Sequence, residues 1–81
     1  MLSPEEYESL KSDRENIFKF HETGNYNGHG MQTIDAIRQR RGYHPVCYTC
    51  DGDKIEAVKD AYNFIVEYEE NCAEAVNNGQ P

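Results

Sequence analysis

A stretch of helical periodicity near the C-terminal end of the chain most constrains the fold. Large apolar side chains recur there at the spacing of one helix face, and only Glu69 interrupts the series. They are Ile55, Val58, Tyr62, Ile65, Cys72 and Val76. Asp53 followed by Glu56 is a capping-box pattern at the start of this stretch. We therefore predict a helix over residues 53–77, roughly 36 Å long at about 1.5 Å per residue, whose C-terminal half extends from the core or meets another chain.

Two further helices are predicted upstream. Residues 3–6, SPEE, supply an N-cap serine, a proline at the first helical position and a capping-box glutamate. Apolar residues at helical spacing follow, and Gly24 ends the pattern in a loop rich in glycine and asparagine. A second apolar face precedes Gly42. These patterns predict helices over residues 4–22 and 31–41.

The length and composition point to one small domain with a thin core. The chain has 81 residues, of which 37% are hydrophobic and 28% are charged. At this length a hydrophobic core alone gives marginal stability, and small domains often add disulfides, a metal or a partner subunit. We expect an all-α, three-helix domain over residues 1–78, with a disordered tail at residues 79–81.

The odd number of cysteines and the lack of a signal segment indicate a reducing, intracellular environment. The net charge is −7, with +2 in residues 31–50 and −6 in residues 51–81. The acidic N-terminus lacks the apolar segment of a secretory signal, and no apolar run approaches the roughly 18 residues of a membrane span. Three cysteines cannot all pair within one chain. The prediction is a cytoplasmic protein without membrane contact.

A pair of cysteines and three histidines form a candidate metal site. Cys47-x-x-Cys50 places two thiols on one side of a turn ahead of the long helix. Zinc takes four ligands from cysteine and histidine, and His21, His29 and His44 all lie upstream. Two of these histidines with both cysteines would complete a closed, structural site that ties a thin core together. His44 is close enough in sequence to replace either upstream histidine.

The series His21-x7-His29-x17-Cys47-x2-Cys50 resembles the His-His-Cys-Cys zinc-binding domain at the N-terminus of retroviral and retrotransposon integrases. The resemblance covers residues 21–50. It implies that His21, His29, Cys47 and Cys50 bind a structural zinc, with His44 as the alternative ligand. In that family the domain serves multimerisation and nucleic-acid end binding, not catalysis.

Two other interpretations of the cysteines stay open. They could be ordinary buried thiols, since free cysteine is often a small core residue. Alternatively, Cys47-Tyr48-Thr49-Cys50 is similar to a glutaredoxin active site and precedes a helix, which favours a thiolate. That fold begins with strand, helix and strand, whereas the 46 residues before Cys47 are mostly helical in pattern. A thiol redox protein is therefore the less favoured hypothesis.

A cluster of arginines suggests a nucleic-acid contact. Arg38, Arg40 and Arg41 crowd the last turn of the second predicted helix. There they complement the negative end of the helix dipole, and they could also contact phosphates. The acidic third helix and the net charge of −7 disfavour nucleic acid. We keep a nucleic-acid-binding accessory domain as the alternative function.

Aromatic residues on the long helix suggest a protein contact. Tyr62, Phe64 and Tyr68 are of the kind that anchors interfaces. The chain has no phosphate-binding glycine loop and no serine nucleophile motif. The predicted function is a zinc-stabilised interaction or assembly module without catalytic activity, which binds a protein partner or itself. Such a chain could come from a phage or mobile element.

Overall fold

The computed structural model describes the backbone of residues 2–78 and the side chains of residues 2–72. Within this range the chain forms helices joined by turns and loops, with no strand, which confirms the all-α class. Its helices are α1 (Pro4–Lys11), α2 (Arg14–Thr23), α3 (Met31–Arg40) and α4 (Asp51–Asn78). The last of these has 28 residues and begins two residues before the predicted start. The predicted tail lies outside the described residues.

The predicted helix over residues 4–22 is wrong, because the chain breaks at Ser12–Asp13 into α1 and α2. The capping box between Ser3 and Glu6 is confirmed at the start of α1. At the break, the amide of Asp13 donates a hydrogen bond to the Leu10 carbonyl over 3.0 Å, which closes a tighter turn than an α-helix makes. The turn lets α1 pack against α3 while α2 packs against α4. The described residues thus form four helices, where three were predicted.

The core lies where α2 and α3 pack against α4. Its buried apolar residues are Leu2, Leu10, Ile17, Phe20, Ile34, Ile37, Val46, Ala57, Val58, Ala61 and Ile65. The apolar series predicted for one face of α4, which we call the α4 seam, belongs only partly to the core. Val58 and Ile65 are buried, but Ile55 and Cys72 are exposed. Val76 lies outside the residues whose side chains are described.

Glu69, the acid that interrupts the seam, links α4 to α1 and α2. Its carboxylate accepts hydrogen bonds from Arg14 over 2.6 and 2.8 Å and from the Tyr7 hydroxyl over 2.7 Å. The hydrogen bond from Arg14 lowers the pKa of Glu69. Tyr7 also stacks on Tyr68, with 4.4 Å between ring centroids. Up to Glu69, therefore, α4 remains in contact with the rest of the domain.

Candidate functional site

The structure does not bring the four predicted zinc ligands together. His21 lies on α2 and stacks on Tyr62, with 3.9 Å between ring centroids, and His29 is exposed in the α2–α3 loop. Cys47 and Cys50 are joined to each other in a disulfide, with 5.3 Å between their Cα atoms. Among the described residues, no three histidine, cysteine or acidic side chains form a group that could hold a metal ion. Zinc binding stays a prediction that rests on sequence spacing.

Of the three histidines, His44 is the one beside the cysteines. Its Nε2 atom lies 3.7 Å from a carboxylate oxygen of Asp53, and its side chain is largely exposed. The same oxygen of Asp53 accepts a hydrogen bond from the Cys47 amide over 3.1 Å. Asp53 was predicted to cap α4, but the helix begins at Asp51. Asp53 instead lies in the first turn and holds the backbone of Cys47.

The cysteine segment (residues 46–50) is held from its other side by Asp35 on α3. One carboxylate oxygen of Asp35 accepts from the Val46 amide over 3.0 Å, and the other accepts from the Tyr48 hydroxyl over 2.9 Å. The hydrogen bond from Val46 is the main cause that lowers the pKa of this buried carboxyl group. Sequence analysis missed Asp35. The available signal was that it is the sole acid in residues 31–50, within an apolar helix face.

The disulfide lies at the positive end of α4. The carbonyl of Cys50 accepts from the Lys54 amide over 3.2 Å, so Cys50 directly precedes the helix as its cap. Cys50 is exposed, whereas Cys47 is partly buried. The Cys47 sulfur lies 3.4 Å from the Thr49 hydroxyl oxygen. The two residues therefore differ in exposure, and the Cys47 sulfur has a hydrogen-bonding neighbour in the Thr49 hydroxyl.

A groove of about 600 Å³ opens between the α2–α3 loop and the first turns of α4. We call it the α4 groove. Its apolar lining consists of Phe20, Tyr26, Met31, Tyr48, Ile55 and Val58. The large exposed hydrophobic residues of the described chain are Tyr43, Tyr48 and Ile55. Two of these three lie in the groove, so the exposed apolar surface is concentrated there.

Asp13 fixes the loop wall of the α4 groove. Its carboxylate accepts hydrogen bonds from the Tyr26 hydroxyl and from the Gly30 amide, the latter over 3.2 Å. Burial, followed by the bond to Asp13, raises the pKa of Tyr26. A Cβ atom at Gly28 or Gly30 would collide with this carboxylate, so both positions require glycine for the close approach. Sequence analysis missed Asp13 because its partners belong to a distant loop.

The arginine cluster predicted to bind nucleic acid is engaged within the protein. Arg38 is buried and forms an ion pair with Asp60 over 2.9 Å. Arg40 and Arg41 both approach Glu6 of α1, at 3.3 and 3.1 Å. The hydrogen bond from Arg41, together with the Ser3 amide, lowers the pKa of the buried Glu6 to about 2. These arginines hold helices together, and of the three only Arg40 has a mostly exposed side chain.

The aromatic residues predicted to bind a partner are packed against the core. Tyr62 lies against α2, and Tyr68 stacks on Tyr7 of α1. Phe64 lies under the guanidinium of Arg41, which is 4.9 Å from its ring centroid. They therefore contribute to helix packing and do not form one exposed surface.

Comparison of the chain with protein-family models, with curated proteins and with solved structures gives no match. The resemblance of residues 21–50 to integrase zinc-binding domains thus stays a prediction. No helix among the described residues has both the length and the apolar character to cross a membrane.

Proposed function

We propose that the protein is an interaction module that binds a partner protein in the α4 groove. The observation that carries this proposal is the placement of Tyr48 and Ile55, which are 47% and 41% exposed and line the same groove. A concave apolar surface between fixed walls is the usual form of a binding site. Asp13 holds one wall and Asp35 holds the other, so binding requires little ordering of the site.

The charge of the protein favours a basic partner segment. Residues 51–81, which include α4, carry −6 of the total charge of −7. Asp51 and Lys54 both line the groove and pair with each other over 3.5 Å, so the preference comes from the net charge of the surrounding helix. Complementary charge speeds association and excludes acidic competitors. We infer a polypeptide segment that inserts apolar side chains into the groove and carries lysine or arginine on either side.

A peptide selection tests this function with defined probes. A random peptide library displayed on phage is enriched on the immobilised protein, and the selected peptides are then synthesised. We expect apolar anchors flanked by basic residues, and an affinity at least about tenfold weaker for Ile55→Ser than for the wild type. The matched control is Tyr43→Ser, which removes an exposed aromatic outside the groove lining and should leave binding unchanged.

Circular dichroism first establishes that both variants keep the wild-type helicity. The proposal is wrong if no peptide is enriched. It is equally wrong if the selected peptides bind Ile55→Ser as tightly as the wild type, because the groove would then not be the contact.

A further inference from the structure

The Cys47–Cys50 disulfide is expected to contribute little to the stability of the fold. It closes a loop with only two intervening residues, and short loops restrict the unfolded chain least. The same segment is already held by hydrogen bonds from the amides of Val46 and Cys47 to Asp35 and Asp53. In a chain predicted to reside in a reducing compartment, a disulfide is more typical of redox chemistry than of stabilisation.

The surroundings of the two cysteines differ, which favours attack at one sulfur and departure of the other in thiol–disulfide exchange. Exchange begins when a thiolate attacks an accessible sulfur and the other sulfur departs as a thiolate. The residue Cys50 is exposed, whereas Cys47 is partly buried and its amide is held by Asp53. A Cys47 thiolate would accept a hydrogen bond from the Thr49 hydroxyl, 3.4 Å away. It would lie near the N-terminus of α4, whose positive end is partly offset by the Asp51 and Asp53 carboxylates of the first turn.

We propose that Cys47 and Cys50 form a thiol–disulfide exchange site whose substrate is a polypeptide with two cysteine thiols. A substrate thiolate attacks Cys50 Sγ, a mixed disulfide forms, and Cys47 leaves as a thiolate and takes up a proton. The second substrate thiolate attacks the substrate sulfur of the mixed disulfide, and Cys50 leaves as a thiolate that takes up the second proton. Two electrons and two protons pass from the substrate, whose thiols become a disulfide, to the cysteine pair. This inference does not depend on the partner proposed for the α4 groove.

The test uses the full chain with Cys72→Ser, which removes the exposed third thiol. The protein is equilibrated with mixtures of reduced and oxidised glutathione, quenched with acid, alkylated and weighed by mass spectrometry. We expect reversible, two-electron reduction of the disulfide at reduced glutathione concentrations up to about 10 mM, and the protein should keep its helicity. Mixed disulfide trapped early in the reduction should map to Cys50.

The Thr49→Ala variant tests the leaving group separately. It should slow reduction by roughly three- to tenfold through loss of the hydrogen bond to the departing thiolate, with unchanged helicity. Thr23→Ala, on the exposed end of α2, is the matched control and should reduce at the parent rate. Transfer is then followed with a synthetic peptide that carries two cysteines, which should become oxidised in equal amount as the protein is reduced.

Three results would overturn the proposal. The disulfide could resist glutathione at that concentration, which is the behaviour of a structural bond. Reduction could abolish the helical signal, which would make the bond part of the fold. The mixed disulfide could map to Cys47, which would reverse the assigned roles of the two sulfurs.

Discussion

Carboxylates hold both the cysteine segment and the region where α1 meets α3 and α4, which we call the α1 side. The two regions nevertheless expose different surfaces. On the α1 side, Glu6 and Glu69 bind arginines from other helices, and Tyr7 stacks on Tyr68. At the cysteine segment, Asp35 and Asp53 bind backbone amides and the Tyr48 hydroxyl.

The partners of these carboxylates explain the contrast. On the α1 side, the arginine side chains cover the aromatic rings, as Arg41 covers Phe64 and Arg14 covers Phe18. In the cysteine segment, the backbone is fixed while Tyr48 and Cys50 are left in contact with solvent. The first arrangement stabilises helix packing, and the second leaves an apolar side chain and a disulfide exposed.

The largest expected effect concerns Glu6 and pH. Its pKa in the folded protein, about 2, lies below its ordinary value of 4.5. The stabilisation of the fold by the ionised Glu6 carboxylate is therefore complete above pH 4.5 and is lost as the pH falls through about 2. Glu6→Gln should lower the free energy of unfolding by roughly 2–3 kcal/mol at pH 6, and the difference should shrink between pH 4.5 and 2. Urea denaturation across this range measures it.

The exposed neighbour Glu5 provides the control for that series. Glu5→Gln should unfold with the same free energy as the wild type at pH 6. A Glu6→Gln curve that runs parallel to the wild type down to pH 2 would mean that the arginines do not stabilise the Glu6 carboxylate.

The next effect concerns Asp35. Asp35→Ala leaves the Val46 amide and the Tyr48 hydroxyl without their acceptor, and we expect a loss of about 2 kcal/mol in the free energy of unfolding. Asp51→Ala removes an exposed acid that lines the α4 groove, and it should change the free energy of unfolding by less than about 0.5 kcal/mol. Equal losses in the two variants would contradict the role given to Asp35.

A smaller effect is expected at Glu69. Glu69→Gln removes the charge that pairs with Arg14, and partial exposure of both side chains limits the loss to about 1 kcal/mol. Glu70→Gln changes the exposed neighbouring residue and should be neutral. Thermal unfolding of both variants at low and high salt checks this prediction, since salt should reduce the Glu69 effect. A loss that does not respond to salt would assign it to packing instead.

The smallest effect on stability is expected at Ile55, and it contrasts with the effect at Val58 in the same apolar series of α4. Ile55→Ala should change the free energy of unfolding by less than about 0.5 kcal/mol, because Ile55 is exposed in the α4 groove. Val58→Ala, one turn further along α4, should destabilise by about 2 kcal/mol because Val58 is buried. Urea denaturation compares them, and a large loss for Ile55→Ala would place that residue in the core.

Local signals in the sequence were sufficient for the helical class and for the start of α1. The capping box of Ser3 and Glu6 involves residues three apart, so the sequence alone defines it. The break at Asp13 has a different origin, because its carboxylate binds the Gly30 amide, 17 residues away. Periodicity continues through the break and therefore predicts a single helix.

The functional residues were harder to predict for the same reason. Arg38 lies where it could complement a helix dipole, yet its partner Asp60 is 22 residues away on α4. The spacing of Cys47 and Cys50 is compatible with a metal site and with a disulfide, and spacing alone does not choose between them. The histidines that favoured zinc are separated by tertiary packing: His21 stacks on Tyr62, whereas His44 lies beside Asp53.

The contrast between the two regions is tested most directly by amide chemical shifts in the oxidised and reduced protein. In uniformly ¹⁵N-labelled Cys72→Ser, reduction should shift amides of residues 44–58, which cover the cysteine segment and the start of α4. Amides of Tyr7, Arg14 and Glu69 should keep their positions. Shifts throughout the α1 side, or collapse of the spectrum on reduction, would contradict the account, since the disulfide would then be a structural bond of the whole domain.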